Sequence, residues 1–195
     1  DHPLGSGIFV GRQLRYLIHS RHGYLGGIGF AAPALQLSDR DNWIGWDSEQ
    51  RQSHLHYIVG MSRFLIRKSI KCHNLASKIL SMSIPIMVTD FESRYGYKPL
   101  LMESFVDENW AGTCYQAANW IKIGKTKGRG RQDRHNQQAL TRKAIYVYPI
   151  EKDFRQQIGL APNVGLGALY YTQGLDGDQW AEHEFGGAPL GDARL

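Results

Sequence analysis

Cysteine is scarce: Cys72 and Cys114 are the only two in 195 residues. They lack a paired spacing, which excludes a zinc ribbon and a disulfide framework and points to a reducing, cytoplasmic compartment. Long apolar runs are missing too. No stretch approaches the ~20 residues that cross a bilayer, so no membrane segment is expected. His54 and His56 lie two apart without a nearby carboxylate, and no metal is assigned. Excess charge is absent from most of the chain. The formal total is +5, and the stretch from Lys122 to Arg134, with six basic residues and the single acid Asp133, accounts for all of it. The chain opens Asp1-His2-Pro3 with neither Met nor a signal peptide, which reads as a piece of a longer protein.

What is present suits one folded domain, since 42% hydrophobic content over this length can bury a sizeable core. Residues 13–19 and 24–31 read as two strands around Ser20-Arg21-His22-Gly23, antiparallel neighbours joined by a hairpin-like turn. Residues 33–39 read as weak helix or loop, and Asn42-Trp43-Ile44-Gly45-Trp46 as a short aromatic strand. Residues 49–56 allow a turn or two of helix, and 57–66 contain a strand ending RFLI. Asn74 is placed as the N-cap of a helix that Pro85 kinks or breaks, with Gly96 as a C-terminal cap. Residues 143–150 alternate Ile145 and Val147 with Tyr146 and Tyr148, as a last strand does. A short helix is expected at 152–158 and a glycine-rich linker at 159–179.

Residues 98–131 carry most of the chemical information. Pro99 to Val106 is an apolar run too short for a buried helix; it holds Glu103 and runs into Asp107, so it reads as a strand that delivers polar groups to an edge. A helix expected at 112–123 offers Tyr115, Asn119 and Lys122 at intervals of four and three, one stripe bearing a phenol, an amide and a cation. Glu103, inside an apolar strand, is the sharpest acid–base candidate, because burial raises a carboxyl pKa. A paired structural charge, with Arg63 as partner, is the competing reading. Asp107 serves either chemistry or capping, and Tyr115 either chemistry or packing. Asn74 and Ser77 orient a ligand or only cap a helix. Of Trp43 and Trp46, placed on opposite faces of a strand, at most one stacks on a base while the other belongs to the core; Trp46 is the candidate. The basic loop (Lys122, Lys125, Lys127, Arg129, Arg131, Arg134) is either a solvated surface or a holder of phosphates, from a nucleic-acid backbone or a nucleotide-like cofactor.

These residues carry a resemblance. A strand that splays from its neighbour, followed by a helix bearing a tyrosine, resembles the GNAT acyltransferase fold; GTCYQAANW, with RFLI and NLASKIL, is most similar to the phage Mom group of DNA-modifying enzymes. The blocks RYLI, GYLGGIGF, DNWIGW, RFLI, NLAS, RYGY, ESFVD, GTCYQAANWI and GRGR, over residues 15–150, resemble the DruA family of the Druantia anti-phage system and of the N-terminal domains of certain DDE transposases. The closing WAEHEFGGAPLGDARL is similar to the start of a transposase DNA-binding region, which would make residues 1–158 one domain, 159–179 a linker and 180–195 the beginning of the next part.

The resemblance implies an α/β fold with a mixed, mainly antiparallel central sheet, helices on its faces and two splayed strands. It supports catalytic roles for Asp107 and Tyr115, which match the Mom-like motif, beside Glu103 from the strand reading; Asn74, Ser77, Asn119 and Trp46 stand as candidate substrate contacts. It also implies an acyl-CoA site where glycine-rich amides meet a helix N-terminus. The corresponding stretch, Lys68 to Ser77, has no glycine, so its side chains crowd a pyrophosphate and the cofactor stays open. Three readings follow: a GNAT-like modifier of nucleic-acid bases, a catalytically silent DNA-binding module, and an interaction domain of a transposase or defence complex. The concentrated positive charge favours DNA as partner, beside a transposase catalytic region in the same chain.

Overall fold

A computed structural model describes residues 11–128 and 141–159. The expected linker from 160 onward, the segment 180–195, and Arg129, Arg131 and Arg134 lie outside the described residues. Alternating apolar residues build β1 (Gln13–Ser20) and β2 (Gly23–Ala31), which pair antiparallel around the expected turn. β3 (Ile58–Ile66) follows β2 in the sheet, then β4 (Leu101–Asp107), β6 (Lys143–Pro149) and finally β5 (Ile121–Lys125) at the far edge. Among the described residues only the β3–β4 pair is parallel. The fold is thus α/β with a mixed, mainly antiparallel sheet.

The sheet's two faces bury different clusters. Helix α3 (Leu75–Tyr95) turns Ile79, Leu80, Ile84, Met87, Val88 and Phe91 toward Leu14, Ile18, Ile28, Phe30, Met102 and Tyr146. The helix runs unbroken through Pro85, which lies on its exposed side. There the missing N–H and the ring are set against a buried stripe that continues on both sides, and the packing prevails. Gly96 closes α3 at φ 80°, its N–H donating to Glu92 O at 2.8 Å. On the opposite face α1 (Ser38–Ile44), α2 (Ser48–His54), a 3₁₀ turn at 55–57 and α5 (Phe154–Gln157) gather Ile44, Trp46, Ile58, Leu101, Val147 and Phe154.

Two sequence expectations are corrected. Residues 42–46 are not a strand: Asn42 to Ile44 end α1, Gly45 closes it at φ 89°, and Asp47 opens α2 in a capping box with Gln50. Two caps within three residues decide the local conformation against the aromatic β propensity. The helix expected at 112–123 is only α4 (Thr113–Ala117), because Asn119 takes φ 61° and turns the chain into β5.

The β3–β4 ladder holds from Ile58 opposite Leu101 to Met61 opposite Ser104 and then ends. Beyond it β3 stays with β2 as far as Ile66, and β4 stays with β6 as far as Asp107. These are the splayed strands that the sequence implied, with Ser104 at the vertex.

Candidate functional site

Successive side chains on a strand point to opposite faces, and on β4 that alternation separates the expected catalytic residues. Leu101 and Glu103 face α1, whereas Met102 and Ser104 face α3 and α4. Glu103 is fully buried. Its Oε1 accepts from Ala34 N–H at 2.6 Å and its Oε2 from Arg40 Nη1 at 2.8 Å. Arg40, also fully buried, donates through Nη1 to Ala34 O and through Nε and Nη2 to Asp41 Oδ1. The partner of Glu103 is therefore Arg40 and not Arg63, whose Nη1 donates to Ser62 O on β3. Burial pushes the Glu103 carboxyl up from its ordinary range, against the pull of Arg40 and of Ala34 N–H.

Trp46 belongs to this same network. It is buried at 7% exposure and its Nε1 donates to Asp41 Oδ1 at 2.9 Å, so its ring is core and its polar atom is already used. Although burial raises the Asp41 carboxyl, the bonds from Trp46 and Arg40 outweigh it and leave the pKa lowered.

Tyr115 sits on the other side of the sheet. Gly112 precedes α4 at φ 67°, and a Cβ there would collide with Tyr146 Oη, so only glycine lets the helix start this close to the sheet. The Tyr115 ring stacks on Tyr146 at 5.2 Å and meets Trp120 edge-on at 5.5 Å. Ser104 Oγ donates to Tyr115 Oη at 3.2 Å, which leaves the phenol its own proton to donate. Burial pushes this phenol up to about 12, with Ser104 pulling slightly the other way, so it is neutral at physiological pH. Lys122, on β5, stands opposite Tyr146, which stands opposite Ser104. Hydroxyl, phenol and ammonium therefore share one row and one face at the vertex.

The open end of the splay gathers charge. Since β3 and β4 run parallel, Ile66 and Asp107 end on the same side, where Lys143 pairs with Asp107 and Lys125 with Ala144. Asp107 accepts from Asn109 N at 3.0 Å and from Thr141 Oγ1 at 2.9 Å, bonds that hold its carboxyl below the ordinary range. Lys125 pairs with Glu108 at 2.6 Å, and Lys127 follows. Asn119 is exposed beyond α4, outside the stripe expected with Tyr115 and Lys122.

Asn74 occupies the N-cap position of α3 in the left-handed conformation, φ 57°, yet its side chain makes no cap bond. Ser77 spends its hydroxyl on Asn74 O at 3.0 Å. Between β3 and α3 no glycine opens the backbone to a diphosphate, and the chain meets the helix through an asparagine. A glycine-lined pyrophosphate cradle is not built here, and the residues do not fit acyl-CoA in that mode.

Sequence reasoning missed Arg40, Ser104 and Tyr146. Ser104 carried a signal, as a polar residue one step in period from Glu103. Arg40 carried none, being 63 residues from its partner.

The family model described as Druantia protein DruA matches residues 1–141. The chain belongs to the DruA family. Among curated proteins no sequence matches it closely. Solved structures to which this DruA-family chain is similar include an N-acetyltransferase from Staphylococcus aureus Mu50, at 13% identity over 71% of this chain and 68% of that one, TM-score 0.46. A variant of spermidine N-acetyltransferase SpeG from Vibrio cholerae has 7% identity over 74% and 69%, TM-score 0.49. The aminoglycoside acetyltransferase AAC(6')-Ib with coenzyme A and kanamycin has 16% identity over 74% and 71%, TM-score 0.48. Identities this low speak for neither activity nor cofactor.

Proposed function

We propose that this DruA-family domain acts on DNA in a defence or mobile-element setting, as a GNAT-like modifier of nucleic-acid bases whose working groups lie at the vertex of the β3–β4 splay. The observation that carries the reading is the Ser104–Tyr115 hydroxyl pair at that vertex, with Lys122 on the same face. A neutral phenol in a buried setting is a hydrogen-bond donor or general acid toward an extruded base. Lys122, Lys125 and Lys127, continued by Arg129, Arg131 and Arg134, hold the phosphate backbone. In this reading Asp107, at the end of β4, and the exposed Asn119 contact the DNA, and Glu103 holds the fold through Arg40. In the same reading, residues 180–195 lead into a transposase DNA-binding region.

A silent DNA-binding module is the second reading. The glycine-free turn before α3 and the enclosure of Glu103 on the far face favour it. Mass spectrometry of nucleosides from DNA recovered from cells expressing the full chain separates the two. The enzyme reading expects a nucleoside of altered mass that disappears with Tyr115→Phe. DNA that co-purifies with the wild type yet carries no altered nucleoside establishes the silent module in its place.

A further inference from the structure

Four tryptophans fall within the described residues, and three of them are packed. Trp46 and Trp120 are buried at 7% and 4% exposure, and Trp43 stacks on Phe154 at 5.7 Å. Trp110 is 74% exposed. An indole is among the largest apolar groups that a core can bury, so one kept in water just past the end of β4 forfeits what the other three gain. The base-stacking ring that the sequence assigned to Trp46 is core; among the described tryptophans it is Trp110 that offers its ring to solvent.

That ring stands on a fixed base. Trp110 N–H donates to Asp107 O at 2.9 Å and Asn109 N–H to Asp107 Oδ1 at 3.0 Å, closing a turn between β4 and α4. The turn is tied to both flanks of the basic stretch that holds the formal excess charge of the chain. On the β5 flank Glu108 pairs with Lys125 at 2.6 Å; on the β6 flank Thr141 Oγ1 donates to Asp107 Oδ2 at 2.9 Å and Glu108 N–H donates to Arg142 O at 3.4 Å. Both acids of the turn are engaged, and Lys127 and Arg142, the next cations on the two flanks, are exposed. Ser104 lies three residues back along β4 from Asp107, roughly 10 Å at ~3.3 Å per residue.

We infer that Trp110 stacks on an unpaired base of DNA whose phosphates lie on Lys127 and Arg142. An exposed ring held between cations suits sequence-tolerant recognition of a single strand, because every base offers a π-face and the charges hold the backbone that carries it. The bonded turn and a side chain with only two rotatable bonds also lose little freedom on binding. The inference rests on the DNA reading above and adds to it the residue that grips a base at the open end of the splay, ahead of the hydroxyl pair at the vertex.

The test combines fluorescence anisotropy of a short labelled oligothymidine and of the matching duplex, each at several salt concentrations, with the tryptophan emission of the protein during titration with the unlabelled strands. The proteins are the full-length wild type, W110A, the milder W110F and K127Q/R142Q; thermal melts establish that each is folded, and W110F, which keeps a ring, carries the test if W110A is not. W110A should bind the single strand about tenfold more weakly, in line with the loss of one stacked base. Its salt slope should match the wild type, since no phosphate contact is removed, whereas K127Q/R142Q should flatten the slope by about 0.7 for each phosphate no longer neutralised. The single strand should quench the wild-type emission, and W110F should lose that quenching. If the wild type binds and K127Q/R142Q weakens it, while W110A and W110F bind and quench as wild type, Trp110 is overturned as the stacking residue and the DNA reading stands. Equal losses for W110A on duplex and single strand overturn the unpaired base. No nucleic-acid binding by the wild type overturns both readings.

Discussion

On β4, Glu103 enters the side of α1 and meets a fully buried arginine, while its neighbour Ser104 enters the side of α3 and meets a phenol at the vertex of the splay. The first environment is closed: Arg40 is shared between Glu103 and Asp41, Asp41 takes Trp46, and Arg51 reaches Asp41 Oδ2 at 3.4 Å. The second has neutral hydroxyls, a nearby lysine and strands that part. Adjacent residues of one strand therefore meet opposite environments, a buried ion-pair network on one face and neutral hydroxyls on the other. Buried opposite charges that satisfy each other join α1 to the sheet, whereas Ser104 and Tyr115 meet as neutral hydroxyls.

The strongest way to break the comparison is Glu103→Ala. It leaves Arg40 buried with one fewer counter-charge and should cost about 3–5 kcal/mol in urea unfolding. Adding Arg40→Met in the same chain should recover much of that loss. Additive losses from the two changes would detach Glu103 from Arg40.

On the other face, Gly112→Ala places a Cβ against Tyr146 Oη in a left-handed conformation, with an expected cost of about 1–3 kcal/mol. Tyr146→Phe in that background relieves part of it. Tyr115→Phe should be milder, about 1 kcal/mol for one hydrogen bond.

The same residue has a pH signature. Its folded pKa is raised from 10.0 to about 12, so its stabilising contribution is complete below pH 10 and is lost as pH rises toward 12. An ultraviolet phenolate titration should lose one late-titrating tyrosine in Tyr115→Phe. Smallest in stability is K125E/K127E, whose exposed charges should leave the melting midpoint unchanged within error.

The strand periods were legible because alternating side chains against an apolar helix leave a mark every second residue, as in β1 and β6. Helix ends were harder. Trp43 and Trp46 read as strand since a seven-residue helix shows hardly two turns of period, and Asn119 hid a reversal that L residues rarely adopt. The sequence placed a strand where β4 lies and put Tyr115 on the helix after it, but it gave the buried Glu103 Arg63 as partner because Arg40 is remote in the chain.

The central functional claim is that this domain binds DNA through its phosphates, and the salt dependence of that binding measures it most directly. Log K for a labelled duplex, plotted against log salt for the full-length wild type and for K125E/K127E/R129E/R131E, should fall linearly in both. The variant's slope should be shallower by about 0.9 for each phosphate that it no longer neutralises, with affinity reduced at every salt concentration. Identical slopes and affinities for the two proteins, or no binding by the wild type at low salt, would contradict the account.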